Sequence, residues 1–284
     1  MISFEIIFLS VLALIWIIFA TVQDLRKREV ANWLNFSLII FALGFRFFYS
    51  LFNENFNFFY QGLIGLGIFF VLGNLFYYGR IFAGGDAKLM IALGTVLPFN
   101  YTFLENSKIF ISFLFIFFFI GAFYGLFVSI FLTIKHFKKF KKELKKQFKK
   151  NKHFVLIFLV IGLGIFGFGF LNELFFIFGG MIFFFPYLYL YAKAIDKVCM
   201  IKNVEVSNLG EGDWLYNNVQ IGKDFIKASW DGLTEKQIKQ IQRKYKMVKI
   251  RQGIPFVPVF LISFIILMIL FYFGIIDDLW NFWF

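Results

Sequence analysis

Ala83-Gly84-Gly85-Asp86-Ala87-Lys88-Leu89-Met90 sets one carboxylate between two apolar runs. A bilayer penalises charge by several kcal/mol, so an acid at membrane depth marks a functional site whose partner must be sought. Asp24 is the partner the pattern offers, since it closes the first apolar run much as Asp86 opens the fourth.

The surrounding composition fixes the class. Of 284 residues, 60% are hydrophobic and 24% aromatic, with 49 Phe, and the mean hydropathy is +0.77. That lies far outside soluble domains. A spanning helix needs about 20 apolar residues, and runs of this kind occur near 3–23, 33–52, 58–79, 87–99, 108–134, 154–171, 173–193 and 254–275. The fold expected is an all-α polytopic membrane protein with about eight, and between six and eight, transmembrane helices. The first run carries Glu5 and lacks a basic leader region, so it reads as a spanning helix rather than a cleaved signal. The sixth and seventh runs read as a hairpin turning at Leu171-Asn172-Glu173. A single kinked helix is the alternative there.

The charge of +12 follows the same organisation. Segments 24–31, 80–88, 135–152 and 193–251 hold 27 of the 29 basic residues, and only Arg46 and Lys108 fall elsewhere. With eight crossings those four segments share one side, which the positive-inside rule makes the cytoplasm of a multi-pass cell-membrane protein. Asp24 and Asp86 then lie at the same boundary, and Trp280 and Trp283 suit the opposite interface. The lysines are not interleaved with a stacking surface, so nucleic acid is not an expected partner. The run from Lys138 to Lys150 reads as a solvated helix that extends the fifth span and meets anionic lipid headgroups. One cysteine, Cys199, excludes an internal disulfide and a cysteine zinc site, and His136 and His153 are not read as a metal pair. No cofactor is implied.

The expected organisation is a catalytic core at 1–134, a basic linker at 135–153, a helical hairpin at 154–193, a small α+β cytoplasmic element at 194–252, and a last spanning helix within 253–284. In the small element, Val204 and Val206 alternate with polar residues ahead of turn signals at 209–213, which suggests a short hairpin. Asp231-Gly232 breaks the chain, and Thr234 with Gln237 forms a capping box for a helix through about Met247. Glycines at 62, 65, 67, 121, 125, 162, 164, 167 and 169 permit close helix approach.

Two carboxyl groups brought within about 3 Å cannot both ionise readily, and they share a proton. One then serves as base and the other as acid, sufficient to activate water against a peptide carbonyl without a metal or a covalent adduct. Glycines beside Asp86 would let a substrate strand come close. A proton or cation relay in a transporter is the competing class, although no paired half-length segments accompany it.

Two strings together resemble the type IV prepilin peptidases. Asp24-Leu25-Arg26-Lys27-Arg28-Glu29-Val30-Ala31-Asn32-Trp33-Leu34 is similar to the segment after their first helix, and the stretch from Ala83 to Met90 is similar to their Gly-x-Gly-Asp motif with its following Lys. The archaeal branch, which includes the preflagellin (prearchaellin) peptidases, is the nearer likeness. Gly253-Ile254-Pro255-Phe256-Val257-Pro258 and Glu211-Gly212-Asp213-Trp214 also resemble that branch. Ala83 replaces the first motif glycine, and Ala31 stands where many relatives have Pro. The resemblance implies Asp24 and Asp86 as an aspartic dyad, supported by Gly84, Gly85, Lys88, Arg26 and Asn32. It also implies an endopeptidase that removes short basic leaders from pilin-like or archaellin precursors at the cytoplasmic boundary. Presenilin and signal peptide peptidases share Gly-x-Gly-Asp, but their Pro-Ala-Leu motif is absent.

Overall fold

Leu9, Ala13, Ile17 and Ala20 recur at spacings of three and four, and in the computed structural model they form a fully buried stripe along α1 (Phe4–Lys27). Ile7, Val11, Ile15, Ile18 and Val22 of the same helix are exposed. An apolar circumference of this kind is what a helix facing lipid presents. The structure describes residues 3–222, 224–230 and 232–283, with the side chains of the final pair, 282 and 283, excluded. Asp231 of the expected chain break and the Trp283 side chain therefore lie outside the described residues.

The protein is a polytopic membrane protein. Among the described residues, six helices are long and apolar enough to cross a bilayer, and a bent pair makes a possible seventh. The chain divides into two compact units, residues 1–125 with 254–284, and residues 126–253. In the first unit, α1 packs against α2 (Asn32–Phe52) and against α10 (Val257–Tyr272), while α3 (Asn57–Tyr78) packs on α2 and on α4 (Gly84–Leu93). The long α5 (Phe103–Lys135) adds Ile109, Phe110, Phe113 and Phe117 to this core. After α10 the chain bends by 76° into α11 (Ile275–Trp283), whose Trp280 indole N–H donates to Ser112 Oγ at 3.2 Å.

The fourth run differs from a regular span. At ten residues α4 is about 15 Å long, half the thickness of a bilayer core. The chain nevertheless travels the length of the unit. Gly85 lies against Val30 at the C-terminal end of α1, whereas the Tyr101 hydroxyl donates to Glu5 Oε1 at 3.0 Å near its N-terminal end. Half of this traverse is helix and half is irregular chain that turns at Gly94 and meets Pro98.

Irregular backbone inside an apolar bundle leaves carbonyls without partners, and only the protein itself can satisfy them. Arg46, one of the two basic residues outside the charged segments, supplies the donors. Its fully buried guanidinium donates to the carbonyls of Thr95 at 2.8 Å, Val96 at 3.1 Å, Phe58 at 2.9 Å and Pro98, and it stacks 4.2 Å from the Phe58 ring centroid. Gly62 makes room, because a Cβ there would stand 2.5 Å from Arg46 Cδ. Gly65 and Gly94 bring their backbones together so closely that a side chain on either would meet the other's carbonyl.

The second unit contains the end of α5, then α6 (Phe137–Lys150), α7 (Lys152–Gly167) and α8 (Leu174–Ile195). The expected hairpin is present: α7 and α8 are joined through a short 3₁₀ turn, with Asn172 Oδ1 accepting the Leu174 N–H at 2.9 Å. Gly162 packs on the Phe183 backbone and Gly179 on that of Phe166. The lysine helix does not extend α5 without interruption. His136 breaks it, and α6 turns Phe140 inward against Tyr191, Ala194 and Cys199 while its lysines stay exposed.

Beyond a single π turn the chain forms β1 (Ile201–Glu205), β2 (Trp214–Leu215), β3 (Val219–Ile221), β4 (Asp224–Ile226), α9 (Glu235–Gln242) and β5 (Met247–Arg251). Val204 does lie in a strand, but that strand does not pair with β2. Both flank β5 in an antiparallel sheet, with Ile201 opposite Arg251 and Trp214 opposite Arg251 on its other edge. Alternation locates a strand without naming its neighbour, and Val248 and Ile250 of β5 supply the buried centre that both outer strands need. The capping box of Thr234 and Gln237 forms, and α9 ends at Gln242, short of the expected Met247 because that residue opens β5.

Replacing Arg46 with Met should strand at least three of its carbonyl partners, each worth about 1–3 kcal/mol when left unpaired. The midpoint of thermal unfolding in detergent is therefore expected to fall steeply. An unchanged midpoint would contradict the structural role given to this cation.

Candidate active site

Three helix ends compose the site. The last turn of α1 carries Asp24, and Arg28 ends the helix in the left-handed region at φ 60°, its N–H bonded to the Asp24 carbonyl at 2.9 Å. The turn that follows is tied by Gln23, whose Oε1 accepts the Ala31 N–H at 3.0 Å, and Val30 is buried beneath it. The second end is the start of α4. Asp86 is the third residue of that helix, so its carboxylate reaches back to the Ala83 amide, as an acidic residue in a first turn does.

The two aspartates come together. Asp24 is buried at 6% exposure, Asp86 is partly exposed, and the two lie near enough for a charge on one to act on the other. Lys88 pairs with neither acid; its Nζ donates to Asn32 Oδ1 at 2.6 Å, joining α4 to α2. Arg26 lies exposed in the last turn of α1. Gly84 and Gly85 have ordinary helical backbone. A Cβ at Gly85 would meet Val30 at 3.4 Å, and one at Gly84 would meet Tyr77 at 3.8 Å, both normal contacts. Neither glycine is required by space in this conformation.

The third end is α10, and it is the element that sequence reasoning did not attach to the site. The Val257 N–H donates to Asp24 Oδ2 at 3.0 Å, and the adjacent Phe256 amide lies close to this carboxyl. Backbone donors carry no residue-type signature. The available signals were the resemblance of Gly253–Pro258 to the archaeal branch and Pro258 itself, since proline in a first turn marks a helix entrance. Tyr124 of α5 and Arg28 complete the charged or titratable groups that act on Asp24. Asn35, one turn into α2 from Asn32, is buried with both amide atoms unpaired. Among the described residues, no three His, Cys, Asp or Glu side chains gather as a metal cluster.

Fold and site together define a class: a helical membrane protein with paired carboxyl groups, one of them held by the start of another helix. Residues 11–129, which include both aspartates, match the model of the type IV leader peptidase family. A preflagellin peptidase of Methanococcus maripaludis is 32% identical over 82 residues, covering 29% of this chain and 35% of that protein. One from Methanocaldococcus jannaschii is 29% identical over 84 residues, covering 30% and 36%. One from Methanococcus voltae is 26% identical over 98 residues, covering 34% and 41%. The chain thus matches little more than a third of the length of these curated relatives. No solved structure matches it.

Cysteines placed at both aspartate positions, in a Cys199→Ser background, should be joined by a short thiol-reactive crosslinker in intact membranes. Mobility on a denaturing gel after proteolysis between α1 and α4 reads the result. Separation into two fragments despite full labelling would place the two side chains apart.

Proposed function

We propose that this protein is a membrane aspartic endopeptidase that removes the leader peptide from archaellin-type precursors, with Asp24 and Asp86 as its catalytic pair. The observation that carries the reading is the meeting of two carboxyl groups, 62 positions apart in sequence, inside the segment that matches the leader peptidase family. Naming of the curated relatives as preflagellin peptidases supports this substrate class over pilin-like precursors.

The chemistry follows from the pair. An ionised carboxylate takes a proton from water as the water oxygen bonds to the scissile carbonyl carbon. The protonated carboxyl hydrogen-bonds the carbonyl oxygen and stabilises the charge that develops there. Collapse of the tetrahedral adduct breaks the C–N bond, and the proton passes to the departing amine. The substrate is a short basic leader ahead of an apolar helix, cleaved where lipid meets the cytoplasm. The basic segments beside both aspartates support that face as the site of cleavage.

Incubation of an archaellin precursor with membranes containing this protein should yield a shortened product. Asp24→Asn and Asp86→Asn should each lower the rate by about 10²-fold or more, the usual worth of an acid or base. Normal processing by either variant would remove the dyad.

A further inference from the structure

The two carboxyl groups are held unequally. Asp24 receives the Val257 N–H at 3.0 Å from the start of α10, with the Phe256 amide close by, and Arg28 of its own helix lies within electrostatic reach. Among the described residues, the backbone group that acts on Asp86 is the Ala83 amide of its own first turn. The charged or titratable groups acting on Asp24 are Arg28 from α1, Asp86 from α4 and Tyr124 from α5. From α10 it meets backbone donors alone.

Amide donors and the positive end of a helix favour the charged form of a carboxylate, and they do so most strongly where water is scarce. We propose that the N-terminus of α10 keeps Asp24 ionised, making Asp24 the general base and Asp86 the proton-bearing acid. This assignment rests on the peptidase reading and adds to it a division of labour and a positioning element. That element lies outside residues 11–129, the part that matches the leader peptidase family. In the step itself, Asp24 accepts the water proton. Asp86 lends its proton to the carbonyl oxygen, and the leaving amine takes the proton held on Asp24.

Proline at position 257 deletes the donor where a helix tolerates the residue. With Val257→Pro, the acid limb of precursor cleavage should move to higher pH by about one unit, the expected worth of one charge-assisted hydrogen bond. Val257→Ala retains the amide, and its acid limb should stay at the wild-type position. An unmoved limb in Val257→Pro, or movement of the alkaline limb instead, overturns the assignment. If both single asparagine variants are inactive in the same assay, that result leaves the dyad standing.

A second measurement needs neither activity nor the proline variant. The protonated-carboxyl infrared band of Asp86→Asn at neutral pH should equal that of the Asp24→Asn/Asp86→Asn double variant, because Asp24 carries no proton. A band in the single variant that disappears in the double variant overturns the proposal.

Discussion

Backbone that leaves helical geometry within an apolar bundle must find its hydrogen bonds inside the protein. This requirement governs the first unit. The traverse from Gly84 to Tyr101 spends its helical turns early, on α4, and finishes as irregular chain. A buried arginine without a carboxylate partner would be expensive in such a place. Arg46 persists because it is surrounded by carbonyl oxygens that would otherwise be unpaired, and its methylene stem is admitted by a glycine on the neighbouring helix. The cation and the irregular chain are each costly alone and compatible together.

A half-length α4 has a direct effect on the site. Because the helix begins at Gly84, its first turn, with free amides and an acidic third residue, falls beside the end of α1 rather than beyond it. Two helix starts, those of α4 and α10, therefore converge near one helix end, that of α1. Carboxylates suit helix starts; Asp86 lies in the first turn of α4, and Asp24, in the last turn of α1, meets the start of α10. The packing of Gly65 against Gly94 and of Gly73 against Ile91 fixes how far α4 can slide along α3, and with it the depth of Asp86.

Much of this was legible in the primary structure, for identifiable reasons. Runs of apolar residues located the helices, and the polar pair Asn172-Glu173 located a turn, because lipid imposes the same length and polarity rule on every span. The acids at 24 and 86 stood out by their cost. Less accessible was anything depending on a partner distant in the chain: the pairing of β1 and β2 with β5, the carbonyls around Arg46, and the Val257 amide on Asp24. Lys88 illustrates the limit. Its charge names no neighbour, and the start of α2 presents Asn32.

The first unit is discontinuous, for residues 126–253 intervene between its two parts. Ribosomal synthesis proceeds from one end, so both aspartates enter the bilayer long before the amides that hold Asp24 have been made. Until then the carboxyl at position 24 has no α10 against which to settle. Translation order thus separates the arrival of the acids from the completion of their surroundings, and a partly made chain is left without the backbone donors that distinguish one acid from the other.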